Sequence, residues 1–116
     1  MTILFILTVA LAAVFTALGA AKLLGLPAMA QRAAHVGFSV AAYRGIGVLE
    51  IAGAVGLLLE SVSRFIPVAA ALGLFLLLAG ATFVHLRGGD GVKEAAPALV
   101  LGGLVVVVLA LRLGSL

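Results

Sequence analysis

The chain has 116 residues, 66% of them hydrophobic and 9% charged, and a net charge of +3 from 7 Lys+Arg against 4 Asp+Glu. Ordinary soluble domains carry about 25% charged residues, and a mean hydropathy of +1.43 leaves too little polar side chain to clothe a water-soluble globule. The composition therefore specifies an integral membrane protein of one domain and excludes soluble enzyme classes.

The absence of cysteine removes disulfides, thiol catalysis, iron–sulfur ligation and a Cys-x-x-Cys redox pair from consideration. Two histidines, His35 and His85, are too few for a zinc site built by this chain alone, so no metal is expected. A nucleic-acid reader gathers its cations on one basic face. Here they are spread thinly through the loops, where they serve topology and contact with anionic lipid headgroups.

The amino terminus lacks the positively charged n-region of a signal peptide, so its apolar run is expected to be a retained first span, residues 3–22. That run is uncharged until Lys22 and long enough to cross a ~30 Å hydrocarbon core at about 1.5 Å per residue. Thr8, Ala12, Thr16 and Ala20 recur every four residues, a small-residue stripe that admits a neighbouring backbone. Lys22 has two readings, a snorkelling interfacial anchor or an inward-facing cation. Residues 23–42 form the sizeable connection. Pro27 suits the first turn of a helix; beyond it Gln31, Arg32, His35 and Ser39 share one face, with Met29, Ala33, Val36 and Val40 elsewhere. This pattern predicts a short amphipathic helix in the membrane interface, broken at Gly37, with an irregular loop as the alternative.

The second span, residues 43–59, is short, with Tyr43 and Arg44 as headgroup-level anchors. Gly45, Gly47, Gly53 and Gly56 thin it, and Ala52-x-x-x-Gly56 makes a second close-packing stripe. A tight polar turn over residues 60–67 leads into the third span, residues 66–86, with Gly73 and Gly80 on one face and His85 at its end. Residues 87–94 read as the most polar loop. The fourth span, residues 95–112, is opened by Pro97 and ended by Arg112. Its β-branched residues 105–108 disfavour helix in water, but a backbone in lipid must satisfy itself internally, so helix prevails. The whole predicts an all-α, up-down antiparallel four-helix membrane bundle with a short interfacial helix between spans 1 and 2.

Glu50 is the anomaly in this hydrocarbon. An ionisable group inside a span costs roughly 2.5–3.5 kcal/mol on insertion scales and ordinarily faces the bundle interior with a partner. If the amino-terminal side of the bundle is A and the opposite side B, alternating direction places Lys22, Arg44 and His85 at the B ends of their helices. Glu50 lies about 9 Å deeper than Arg44. Lys22, with Gly19 clearing space for its stem, is the natural partner, and His85 is placed to hydrogen-bond the same carboxylate. No charge is expected at comparable depth in the A half, whose edge is marked by Arg112, Glu60 and Arg64. Two readings stay open: a polar pocket of Lys22, Arg44, Glu50 and His85 opening to B, roofed by Arg32 and His35 with Arg87 at its rim, or an internal salt bridge that sets helix register. The cation bias, with Lys22, Arg32, Arg44, Arg87 and Lys93 on B, favours B as cytoplasmic and both termini outside.

With these residues in place the chain resembles the DoxX-like family of membrane proteins over nearly its whole length. The resemblance rests on Gly19-Ala-Ala-Lys22-Leu-Leu-Gly25, His35-Val-Gly37-Phe38, the segment from Arg44 through Glu50 to Ala54, Pro67, and Leu78-Ala-Gly80-Ala81-Thr-Phe-Val-His85-Leu-Arg87. It implies a four-helix, multi-pass protein of a bacterial-type inner membrane and carries over Lys22, Glu50 and His85 as site positions. Relatives are associated with a thiosulfate:quinone oxidoreductase, with oxidative-stress membrane complexes and with assembly helpers.

Three functions compete. The first is an accessory subunit holding a partner membrane protein, a second copy of itself, or an apolar ligand such as a lipid, and not catalytic on its own. The second is the membrane subunit of a quinone-linked oxidoreductase, with quinone bound by the Lys22/Glu50/His85 group and the redox centre on another subunit. The third is a small proton-coupled transporter like the small multidrug resistance proteins. Those share this length and span number, but they carry their acidic residue in the first span and use an aromatic cage, whereas this chain has no Trp and a single Tyr.

Overall fold

Helix caps decide where the apolar runs become helices. In the computed structural model, which describes residues 2–89 and 91–116 with 92–94 as helical backbone, these are α1 (Ile3–Leu23), α2 (Pro27–His35), α3 (Val40–Leu57), α4 (Phe65–Arg87) and α5 (Val92–Gly114). No strand occurs among the described residues. All but α2 are long and apolar enough to cross a membrane, so the expected four-helix membrane bundle is the observed architecture.

The boundaries shift for local reasons. Ser39 Oγ accepts from the Ala42 amide at 3.0 Å, which starts α3 at Val40, not Tyr43. Ser63 Oγ accepts from the Phe65 amide at 3.2 Å, so the polar turn closes early and Pro67 falls inside the first turn of α4, where a missing amide hydrogen is tolerated. At its other end α4 runs on through His85 to Arg87. α5 begins at Val92, so part of the loop expected over residues 87–94 is helix and Pro97 lies inside α5 instead of opening it. Asp90 and the side chains of Lys93 and Glu94, which belonged to that expected loop, lie outside the described residues.

α2 matches the amphipathic expectation: Met29 and Ala33 are buried while Gln31, Arg32 and His35 are exposed. It stops at Gly37, whose φ of +81° is open to glycine at little cost. There the Phe38 amide donates back to the Ala33 carbonyl at 2.8 Å and the Gly37 amide to that of Ala34 at 3.1 Å, a Schellman closure that reverses the chain.

Consecutive long helices are antiparallel neighbours. α1 packs chiefly on α3 and α4 on α5, while α3–α4 and α1–α5 contacts close the ring and α2 rests on α3 and α1. The core is lopsided. Of its largest members, Leu57, Leu74, Val105 and Val108 come from the helix halves that meet toward A, while Phe15 lies just past the middle of α1 at the edge of the B half. In α4 the buried residues are Pro67, Ala71 and Leu74, all in the A half. The expected Thr8/Ala12/Thr16/Ala20 stripe holds only at its start: Thr8 and Ala12 are buried but Thr16 is exposed. Each step of four overshoots a turn by about 40°, so the stripe rotates out of the interface.

Candidate functional site

The site begins at a helix crossing. A Cβ on Gly19 would lie 2.7 Å from the Gly47 carbonyl oxygen, and a Cβ on Gly47 would lie 2.7 Å from that of Gly19, so α1 and α3 touch backbone to backbone. Lys22 is three residues beyond Gly19 toward B; Glu50 is three residues beyond Gly47 toward A. Their Cα atoms are therefore offset by about 9 Å along the axis. Side chains lean toward the N-terminus of their own helix, so on antiparallel helices Lys22 leans inward and Glu50 leans toward B. The two meet: Lys22 Nζ lies 2.5 Å from Glu50 Oε1. Glu50 is 5% exposed, ten residues and about 15 Å inside α3.

Beside this pair, where the core runs out, lies a cavity of about 280 Å³. α1 contributes Phe15 and Lys22, α3 contributes Tyr43, Ile46 and Glu50, and α4 contributes a strip from Leu76 to His85 in which Gly80 and Ala81 leave room. Val36 and Phe38 form the roof, because the Gly37 reversal turns Phe38 back toward the bundle. The Tyr43 ring centroid is 5.3 Å from Lys22 Nζ, a cation–π contact that adds to the carboxylate in holding the ammonium.

Of the residues singled out from the sequence, Lys22, Glu50 and His85 line one cavity. The others do not. The Arg44 guanidinium is directed at Gly25, which has φ +63° and where an added Cβ would meet Nη2 at 3.0 Å. There it places a cation at the carbonyl end of α1. Arg32 and His35 stay on the exposed face of α2, because Met29 and Ala33 take the inward face, so the expected polar roof is an apolar one. Arg87 lies over the Phe83 ring of its own helix at 5.8 Å.

Sequence reasoning missed Tyr43 and Phe38. Tyr43 was legible in principle, since it stands seven residues, two turns, before Glu50 on the same helix face. Phe38 was not, because its placement depends on the Gly37 turn. Arg112 also departs from expectation. Read as an edge marker, it is in fact 7% exposed, with Nη1 2.9 Å from Glu60 Oε2 and Nη2 donating to Thr8 Oγ1 at 3.3 Å. α5 runs on to Gly114, which keeps Arg112 within the helix and turned to the bundle. No group of three His, Cys, Asp or Glu side chains is placed to hold a metal ion among the described residues.

Chemically the arrangement offers an apolar chamber with one charged pair in its wall. The Lys22 ammonium has three donors, one of which goes to Glu50, so a ligand with an acceptor group finds donors beside a water-poor, aromatic-lined space. The sequence model described as the DoxX-like family matches residues 6–109. No curated protein and no solved structure matches the chain.

Proposed function

The chain belongs to the DoxX-like family, and on that premise we propose that it is an accessory subunit of the membrane that binds an apolar ligand bearing a polar acceptor group. One observation carries this reading: the buried Lys22–Glu50 pair is not sealed in the core but forms part of the wall of a cavity of about 280 Å³. A pair whose task was helix register would be packed over on all sides. Lipids and quinones both have the required character, an apolar body with carbonyl or ester oxygens, and the site recruits or holds such a molecule for a partner membrane protein.

A quinone is favoured within that class by Tyr43 and Phe38, whose rings border the same space as the ammonium donor. In that second reading the chain is the membrane subunit of a quinone-linked oxidoreductase, and the electrons are delivered by a separate redox subunit. In either reading the protein resides in a bacterial-type plasma membrane with the B end, and hence the cavity, on the cytoplasmic side. Lys22 is engaged in the pair and gives no topology signal, but Arg32, Arg44 and Arg87 at B still outnumber the exposed Arg64 at A.

The test is purification from native membrane in mild detergent, followed by mass spectrometry of co-purifying lipids, quinones and proteins. The wild-type chain is expected to carry one apolar ligand per site. Glu50→Gln is expected to lose it at least tenfold while keeping its helix content by circular dichroism. Equal ligand content in the two proteins, with a lower Tm alone, would make the pair architecture and sink the proposal.

A further inference from the structure

The cavity at Glu50 leaves a second polar feature, at the A end, unexplained. Arg112 is buried two residues from the end of α5. A guanidinium has five N–H donors to satisfy. Nη1 meets Glu60. Nη2 reaches Thr8 Oγ1 at a long 3.3 Å, and that hydroxyl donates its own hydrogen to the Leu4 carbonyl at 2.7 Å. Nε is buried and meets no acceptor among the described residues. Glu60 is a loose counter-ion, since its side chain is 64% exposed on the turn after α3. The guanidinium thus has more donors than acceptors where water is scarce.

Next to it is a cavity of about 350 Å³ whose other walls include Phe5, Val9, Leu57 and Leu58. Phe5, Val9 and Leu58 are exposed on the apolar flank of the bundle, so the cavity is continuous with the acyl-chain region. A buried cation therefore stands at the head of an apolar groove open to lipid. We propose that this groove holds an anionic phospholipid, whose phosphate oxygens accept from the Arg112 guanidinium while an acyl chain lies along Phe5, Val9 and Leu58. A phosphodiester supplies the paired acceptors that a guanidinium fork binds best, and Glu60 on its exposed turn swings aside as it enters. Inorganic phosphate shares the oxyanion but has nothing to place against the apolar walls. The groove shares no lining residue with the cavity at Glu50, so the proposal stands independently of that site.

The full chain, reconstituted in vesicles of equal phosphatidylglycerol and phosphatidylcholine and extracted in mild detergent, is read by native mass spectrometry. One phosphatidylglycerol per chain is expected to stay bound in preference to phosphatidylcholine. Arg112→Gln is expected to cut that retention roughly tenfold or more, the scale of a lost charge-assisted hydrogen bond, and Arg112→Lys to leave an intermediate level. Glu60→Gln removes the competing carboxylate and should retain the lipid at least as well as wild type, which decides the matter even if Arg112→Gln fails to insert. Equal retention of both lipids, unchanged retention in Arg112→Gln, or a loss in Glu60→Gln would overturn the proposal. So would displacement of the lipid by inorganic phosphate, which would assign the site to the free anion.

Discussion

Lys22 and Glu50 share one contact but stand at different depths, and the difference sets what each costs to remove. Glu50 is near the middle of α3, with no route to the interface, whereas Lys22 is one residue from the end of α1 and 12% exposed along its side chain. If Glu50 becomes Gln, the Lys22 stem can extend toward the B headgroups and rehydrate its ammonium. If Lys22 becomes Met, the carboxylate is stranded. Lys22→Met is therefore expected to cost about 3 kcal/mol, the scale of a broken buried pair. Glu50→Gln should cost clearly less, and Lys22→Met with Glu50→Gln should recover most of the loss. Thermal unfolding in detergent followed by circular dichroism checks this; equal falls in Tm for the two single variants would show that depth is not what matters. Glu50 could be found in the sequence because a carboxylate in hydrocarbon is conspicuous. Arg112 could not, because a cation at the end of an apolar run reads equally as an anchor, and only the rotation of α5 turns it inward.

At the scale of elements, four glycines of α3 that look alike in sequence divide into different roles. Gly47 faces α1 backbone to backbone, Gly53 and Gly56 receive Leu74 and Ala70 of α4, and Gly45 faces open space. The site depends on the first, since the Gly19–Gly47 crossing brings Lys22 within reach of Glu50. Gly19→Ala places a methyl 2.7 Å from a carbonyl oxygen that cannot rotate away, and is expected to destabilise by about 1–3 kcal/mol through forced separation of the helices. Gly45→Ala, with nothing within 4 Å, should be neutral or mildly stabilising in the same melting experiment. Glycine content announced close packing, but the partner of each glycine depends on helix rotation, which the four-residue stripe of α1 misjudges because its period is not that of the helix.

Across the whole molecule, packing is asymmetric from end to end. The aliphatic core lies mostly in the A half, bordered at its outer end by the Arg112 groove, and toward B it gives way to the ion pair, the aromatic residues and the cavity at Glu50. Large apolar side chains such as Leu76, Phe83 and Val100 face outward, as a lipid-solvated surface requires. The proposed orientation puts the cavity at Glu50 on the cytoplasmic side and both termini outside. A cysteine introduced by Ser115→Cys should then react with a membrane-impermeant maleimide added to intact cells. Labelling only after the cells are opened would reverse the orientation.

The sequence by itself determined the class of environment, the number of spans, their alternating direction, the family and the position of the deepest carboxylate. Each of these follows from composition, run length or a short motif, and none requires knowing how helices are rotated about their axes. The tertiary structure decided everything that rotation controls. It set Arg44 against Gly25, kept Arg32 and His35 on the outer face of α2, brought Tyr43 and Phe38 to the cavity, and turned Arg112 into the bundle. In a chain this apolar nearly every helix face is hydrophobic. Amphipathic patterning, which orients helices in water, is therefore weak, and the orientation is set by the close approach of glycines and by which charges meet.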